Sequence, residues 1–281
     1  MTTAPDAQTL IPFGRLFAGD AAHQLLGGDV AALRELVRRH AVIVLRGVGD
    51  AFTYTASLAA FAERWGQVTM WPFGAVLEAD EHAEPHDLVF DATHLPLHCD
   101  GSYRDTTQEF MMLFCKRSTA EGGRPLLVDT RRVLRAADTA RRNRWAQNSV
   151  TYLKHGQVHY SGAAHSPIVV PHPISGEDVL RFEGPYPPSR PVLNPPTRLW
   201  HGIETNAVDA VEDDLVQRLL AQDCCLAHAW QAGDLVIGDN FALLHGREAC
   251  PAGSRRSLWR VQVHSDPVTR NASPSDGAPC T

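Results

Sequence analysis

The stretch LPLHCDGSY at residues 95–103 decides how the rest of the chain is read. Side chains alternate along a strand, so His98 and Asp100 share a face, about 6 to 7 Å apart, and can reach one ion together. Cys99 then points the other way and reads as a buried thiol. The pattern needs a third member, because His264-Ser265-Asp266 repeats it near the C-terminal end. That copy has no later histidine. His98 and Asp100 have one in His245, at the end of the strand-like run at residues 242–245. Two neutral imidazoles and one carboxylate on one side of an ion leave the other side open, an arrangement that suits non-haem iron(II) oxygenases. His23, His40, His155, His201 and His228 carry no such partner pattern.

Three open positions would let a 2-oxo acid bind through its carboxylate and keto oxygens while dioxygen takes the last. The far end of such a cosubstrate is a second carboxylate, which needs a fixed cation. Arginine serves best, because its planar fork binds carboxylates bidentately and keeps its charge when buried. Arg256 and Arg260 follow His245 in the chain, four residues apart, so both project from one face of a strand and Arg255 faces away. Candidate substrate contacts are Trp71, Phe73, Tyr103, Arg104 and Arg260, and Arg260 points to a small anionic substrate.

Outward from this centre the chain reads as short strands between turns. They are expected at residues 88–90, 95–100, 109–115 and 126–129, then near 150–153, 168–170 and 179–182, and finally at 226–230, 235–237, 242–245 and 257–264. Asp29 can cap a helix through Leu33, Leu36 and Val37, with the buried strand 41–45 behind it. A second helix starts near Thr55 and stops at Gly66. Thr130 is expected to cap a helix bearing Arg131, Arg132, Arg135, Arg141, Arg142 and Arg144, and Thr205 or Asn206 opens another with Val208, Val211, Leu215 and Leu219 inward. Residues 184–196 hold six prolines and cannot be regular structure; a lid and a plain crossover are both open readings. The expected fold is mainly β with covering helices, a double-stranded β-helix (jelly-roll) core. It is read as a single domain over residues 1–264, with residues 265–281 a polar, disordered tail.

Composition narrows the function classes. Among 281 residues, 26 are basic and 32 acidic, and the net charge of −6 opposes coating a phosphate backbone. The arginine cluster at 131–144 reads as the solvated face of one helix, so no nucleic-acid partner is expected. No apolar run approaches the roughly 18 residues of a membrane span, and the N-terminus lacks a signal-peptide pattern, so a cytoplasmic protein without a membrane partner is expected. Six cysteines form no CxxC pair, which fits reduced thiols. GxSxG, HExxH, GxGxxG and P-loop patterns are absent. The oligomeric state is left open. The rival readings are a jelly-roll metal hydrolase, which has no need of Arg256, and a binding module that kept the fold without turnover.

LPLHCDGSY, the glycine pair Gly122-Gly123, HSPIVVPHPISGEDVLRF, and WQAGDLVIGDNFALLHGR followed by RRSLWRVQV together resemble the taurine dioxygenase (TauD/TfdA) superfamily of iron(II)/2-oxoglutarate dioxygenases. The resemblance runs from about residue 95 to 263 and is weaker before that. It implies iron on His98, Asp100 and His245, and the remote carboxylate of 2-oxoglutarate on Arg256. Arg260 falls where some members contact the cosubstrate or an acidic substrate. It further implies oxidation of a C–H bond with dioxygen and release of succinate and carbon dioxide, by hydroxylation, desaturation or a related outcome. Related halogenases replace the ligand aspartate with Gly or Ala, so Asp100 speaks against halogenation. Many members have Thr shortly after the glycine pair to bind 2-oxoglutarate, where this chain has Arg124-Pro125. The HCDGSY context is similar to members that oxidise amino-acid or isonitrile precursors in natural-product pathways.

Overall fold

The run Val42-Ile43-Val44-Leu45 has no polar face, and its alternation explains the architecture. Val42 and Val44 pack in one core cluster with Met111, Leu127, Val236 and Leu243. Ile43 and Leu45 point the other way, into a cluster with Leu33, Val37, Leu58, Phe61 and Trp65. A strand buried on both faces must lie between a second sheet and a layer of helices.

The computed structural model describes residues 7–80, 87–119, 121–155, 161–186, 195–251 and 253–272. The strands are β1 (Ala7–Thr9), β2 (Arg15–Ala18), β3 (Val42–Arg46), β4 (Leu77–Asp80), β5 (Leu95–His98), β6 (Thr106–Arg117), β7 (Pro125–Asp129), β8 (Ser149–Lys154), β9 (Gly162–Pro167), β10 (Val169–Pro171), β11 (Asp178–Leu180), β12 (Thr197–His201), β13 (Cys225–Ala227), β14 (Leu235–Asp239), β15 (Leu243–Arg247) and β16 (Ser257–Arg270). The helices are α1 (Gly19–Gly27), α2 (Val30–His40), α3 (Thr55–Glu63), α4 (Thr130–Ala136), α5 (Thr139–Ala146) and α6 (Val208–Leu219).

A seven-stranded sheet in the order β1-β2-β3-β14-β6-β16-β4 faces a four-stranded sheet in the order β13-β7-β15-β5. The outer face of the larger sheet packs on α1 to α3. On the smaller sheet Leu97, Cys99, Leu126, Val128 and Leu244 pack outward against Val133, Trp145, Val211, Leu215 and Leu219 of α4 to α6. This is the expected jelly roll with helical cover. Asp29 caps α2 as expected, accepting from the backbone N–H of Ala31 at 2.9 Å. No helix among the described residues is long and apolar enough to cross a membrane.

Several expectations change. Residues 88–90 form a 3-10 helix and no strand. The arginine-rich segment is two helices, because Asp129 and Asp138 each accept from a helical N–H, of Arg131 and Arg141, and Ala137 between them is extended. Thr130 is therefore inside α4 and Asp129 is its cap. The cluster is largely the solvated face expected, with Arg135, Arg142 and Arg144 exposed, but Arg131 is buried, bonding Asp129 and the carbonyl of Arg38.

The boundary expected at residue 264 falls inside β16. After His264 pairs with Gln108 the register shifts, residues 265–268 bulge, and Thr269 and Arg270 pair with Thr107 and Thr106. A polar run looks like a tail when its partner strand, β6, lies far back in the sequence. Residues 273–281 of that tail, and the middle of the proline-rich loop at 187–194, lie outside the described residues.

Candidate active site

Strand pairing builds the centre of the site. β5 runs antiparallel to β15 with His98 directly opposite His245, and the two rings lie 4.3 Å apart between centroids. Asp100 follows at the end of β5, where Gly101 turns the chain with φ +85° and a Cβ would sit 2.9 Å from the Thr106 carbonyl. Asn240, in the turn between β14 and β15, holds the aspartate's backbone. Its side-chain oxygen accepts from the Asp100 N–H at 3.0 Å, and its Nδ2 donates to the carbonyls of Asp100 at 3.1 Å and Gln108 at 2.9 Å.

One donor atom from each of His98, Asp100 and His245 lies within 4.8 Å of the other two. Asp100 Oδ1 is 3.9 Å from His98 Nε2 and 3.7 Å from His245 Nε2. His98 Nδ1 donates to the Pro96 carbonyl at 2.9 Å, which leaves Nε2 to offer its lone pair. Asp100 Oδ2 and His245 Nδ1 are buried without a hydrogen-bond partner. Burial would raise the Asp100 carboxyl, but Arg260, at 3.3 Å, and the two histidines hold it at about 2. Burial, and then His98, pushes His245 down to about 3. An ionised carboxylate and a neutral imidazole are the protonation states a metal requires. The donor set fits iron(II).

Arg256 enters just before β16. It is 5% exposed, its Nε has no hydrogen-bond partner, and among the described residues no carboxylate lies within ion-pair distance. Burial lowers its pKa. A buried guanidinium lacking a counter-charge costs several kcal/mol and suits an incoming anion. The glycine pair makes room for it: a Cβ on Gly123 would come within 3.3 Å of Arg256 Cδ. Gly123, Pro125 and Arg256 line a cavity that reaches His98, His245 and Arg260.

His98, Asp100 and Arg260 also line a second cleft. Of the candidate substrate contacts, Trp71, Tyr103, Arg104 and Arg260 are on its wall. Arg104 lies over the Trp71 ring at 5.0 Å. Phe73 stays off that wall, stacked on Trp71 at 6.0 Å and half-exposed. Sequence reasoning missed Asp87, Lys154, Glu183 and Gln262 on the wall, and Asn240 behind it. Single acidic, basic and amide residues between strand-like runs give no local signal. His264-Ser265-Asp266 forms no such cluster; His264 Nε2 bonds the Thr69 hydroxyl at 3.0 Å.

Residues 7–262 match the model of the taurine catabolism dioxygenase TauD, TfdA family. The chain belongs to the TauD/TfdA family. It is 38% identical over 246 residues to the tyrosine isonitrile desaturase of Erwinia amylovora, covering 86% of this chain and 84% of that one. It is 31% identical over 259 residues to 3-((Z)-2-isocyanoethenyl)-1H-indole synthase of Fischerella ambigua, covering 91% and 94%. Among solved structures it resembles PvcB, described as an Fe, alpha-ketoglutarate dependent oxygenase from an isonitrile synthetic pathway, with a TM-score of 0.79, 30% identity and coverage of 97% and 96%. This TauD/TfdA member is accordingly an iron(II)- and 2-oxoglutarate-dependent oxygenase that consumes dioxygen and acts on a small molecule.

Proposed function

We propose that His98, Asp100 and His245 hold the iron, that Arg256 holds the remote carboxylate of 2-oxoglutarate, and that the substrate is an isonitrile made from an aromatic amino acid. The observation that carries this reading is a largely buried His-Asp-His cluster shared by two cavities, one ending on Arg256, which has no carboxylate within ion-pair distance among the described residues, and the other walled by Arg260 and aromatic side chains. The names of the isonitrile relatives supply the substrate class.

When bound, iron(II) with 2-oxoglutarate and dioxygen supplies a two-electron oxidation of a C–H bond, with succinate, carbon dioxide and water as products. The residues of the chain do the rest. Arg256 orients the cosubstrate by its far end, where Pro125 offers no hydroxyl. Arg260 neutralises Asp100 and presents a cation to the substrate carboxylate. The side-chain carbons next to that carboxylate are then held at the triad. An aromatic substrate of this kind loses one benzylic hydrogen and its carboxyl group, giving an alkenyl isonitrile and carbon dioxide. The net charge of −6 and the free cysteines among the described residues support work in the cytoplasm on a small molecule rather than on nucleic acid.

The test is aerobic incubation with iron(II), 2-oxoglutarate and the isonitrile of tyrosine or tryptophan. Succinate should form in step with a product lacking carbon dioxide and two hydrogens. Succinate release stimulated only by the free amino acids would overturn the substrate assignment.

A further inference from the structure

Glu183 lines the cleft beside the triad and has no part in the chemistry above. The cleft holds three carboxylates, Asp87, Asp100 and Glu183. Asp100 faces Arg260 at 3.3 Å, and Asp87 is paired with Lys154 at 3.0 Å. Glu183 is 3% exposed, yet among the described residues no cation lies within ion-pair distance of it. Its two oxygens accept from neutral hydroxyls, Oε2 from Ser102 at 2.7 Å and Oε1 from Tyr186.

A carboxylate offers about four acceptor positions, so about two remain after Ser102 and Tyr186. A carboxylate buried without a counter-charge is costly, and a donor arriving from the cleft reduces that cost. Arg260 lies against Asp100, so a substrate carboxylate held there keeps its neighbouring carbons at the triad and sends the ring along the cleft. The nitrogen of an isonitrile carries no hydrogen. The donor that can reach Glu183 from such a substrate is therefore on its ring.

We propose that Glu183 is a specificity-determining residue that accepts a hydrogen bond from a phenol O–H or indole N–H on the aromatic ring of the substrate. This rests on the isonitrile reading above. Chemically, it selects donor-bearing rings over phenyl, because an unmatched substrate leaves the buried carboxylate short of a partner.

The experiment compares kcat/KM for the isonitriles of tyrosine, phenylalanine and O-methyltyrosine in the wild-type enzyme, Glu183→Gln and Glu183→Asp. A site built to hydrogen-bond a hydroxyl can reject its absence by about 10,000-fold or more, and a wild-type preference of at least ~100-fold for the tyrosine derivative over both others is expected. Glu183→Gln should cut that ratio at least ~10-fold, the effect of losing one charge-assisted hydrogen bond, with Glu183→Asp in between. Equal wild-type turnover of all three, or an unchanged ratio in Glu183→Gln, overturns the assignment while leaving the isonitrile reading intact. Failure of the wild-type enzyme to turn over any of the three, or the isonitrile of tryptophan, overturns the isonitrile reading itself. A variant that does not fold leaves the wild-type ratio as the deciding measurement.

Discussion

The two sheets contribute different halves of the site, and they hold them by different means. The four-stranded sheet brings His98 and His245 together by backbone register, so their separation follows from the β5–β15 ladder. The seven-stranded sheet brings Arg256 and Arg260 on β16 and the residue before it, where side-chain surroundings decide the outcome. Arg260 meets Asp100, while Arg256 stays buried with no carboxylate beside it among the described residues. One half is satisfied within the protein except where a cation would sit. The other half is left short of an anion. The contrast teaches that the proposed iron site is preorganised by the chain, whereas the proposed cosubstrate site would be completed by its ligand.

The largest effect should come from breaking the preorganised half. Disturbing an outer partner of a metal ligand already costs about 10- to 100-fold, so Asp100→Ala should lower iron content and substrate-dependent succinate release by more than ~100-fold. Near-normal turnover in metal-loaded Asp100→Ala would move the iron elsewhere. Arg256→Ala comes next and separates the halves. Losing a bidentate, charge-assisted contact should raise the 2-oxoglutarate KM by about 30- to 1,000-fold, roughly 2 to 4 kcal/mol, with iron content preserved. Loss of iron together with cosubstrate affinity would erase the distinction between the two sheets.

Asn240→Ala sharpens it from within. The side chain has no donor atom in the His-Asp-His cluster, and it pairs both the N–H and the C=O of Asp100 as a neighbouring strand would. Removing it should weaken iron binding by about 10- to 100-fold, the usual cost of an outer partner, while the 2-oxoglutarate KM measured at saturating iron moves far less. An unchanged iron affinity would show that the turn at Gly101 alone fixes Asp100.

These three positions also mark how far the sequence could be read. Strand alternation singled out His98 and Asp100, although β5 ends at His98 and Asp100 lies in the turn after it, and His245 stood out as a histidine on a strand-like run, inside what is β15. Arg256 stood out as an arginine four residues before Arg260 and beside the last expected strand, and its proposed role came from the family resemblance. Asn240 was not legible, since its role depends on Asp100, 140 positions earlier. Glu183 follows an expected strand but gains its meaning only when Ser102 and Tyr186 converge on it. The helices fared similarly. The Asp29 cap and the inward face of α2 follow local rules, as does the Asp138 cap behind the break at Ala137, whereas the burial of Arg131 follows from its contact with the Arg38 carbonyl of α2.

The smallest expected effect is at Pro125, the first residue of β7, where the family resemblance leads one to look for a threonine hydroxyl. Pro125 lines the same cavity as Arg256, pairs in register with Arg247, and its carbonyl accepts from the His228 N–H at 3.1 Å. A proline nitrogen has no hydrogen to donate, so Pro125→Thr sacrifices no backbone bond and keeps that carbonyl in place. What it adds is one neutral hydroxyl to a cavity whose charge is already supplied by Arg256. A single neutral hydrogen bond is worth about 0.5 to 1.5 kcal/mol net, so the 2-oxoglutarate KM for succinate release should fall by about 2- to 10-fold at most, with iron content unchanged. A rise of more than ~10-fold would mean that the proline ring itself shapes the cosubstrate's seat. The ligand-completed half of the site would then owe more to the smaller sheet than the contrast between the two sheets allows.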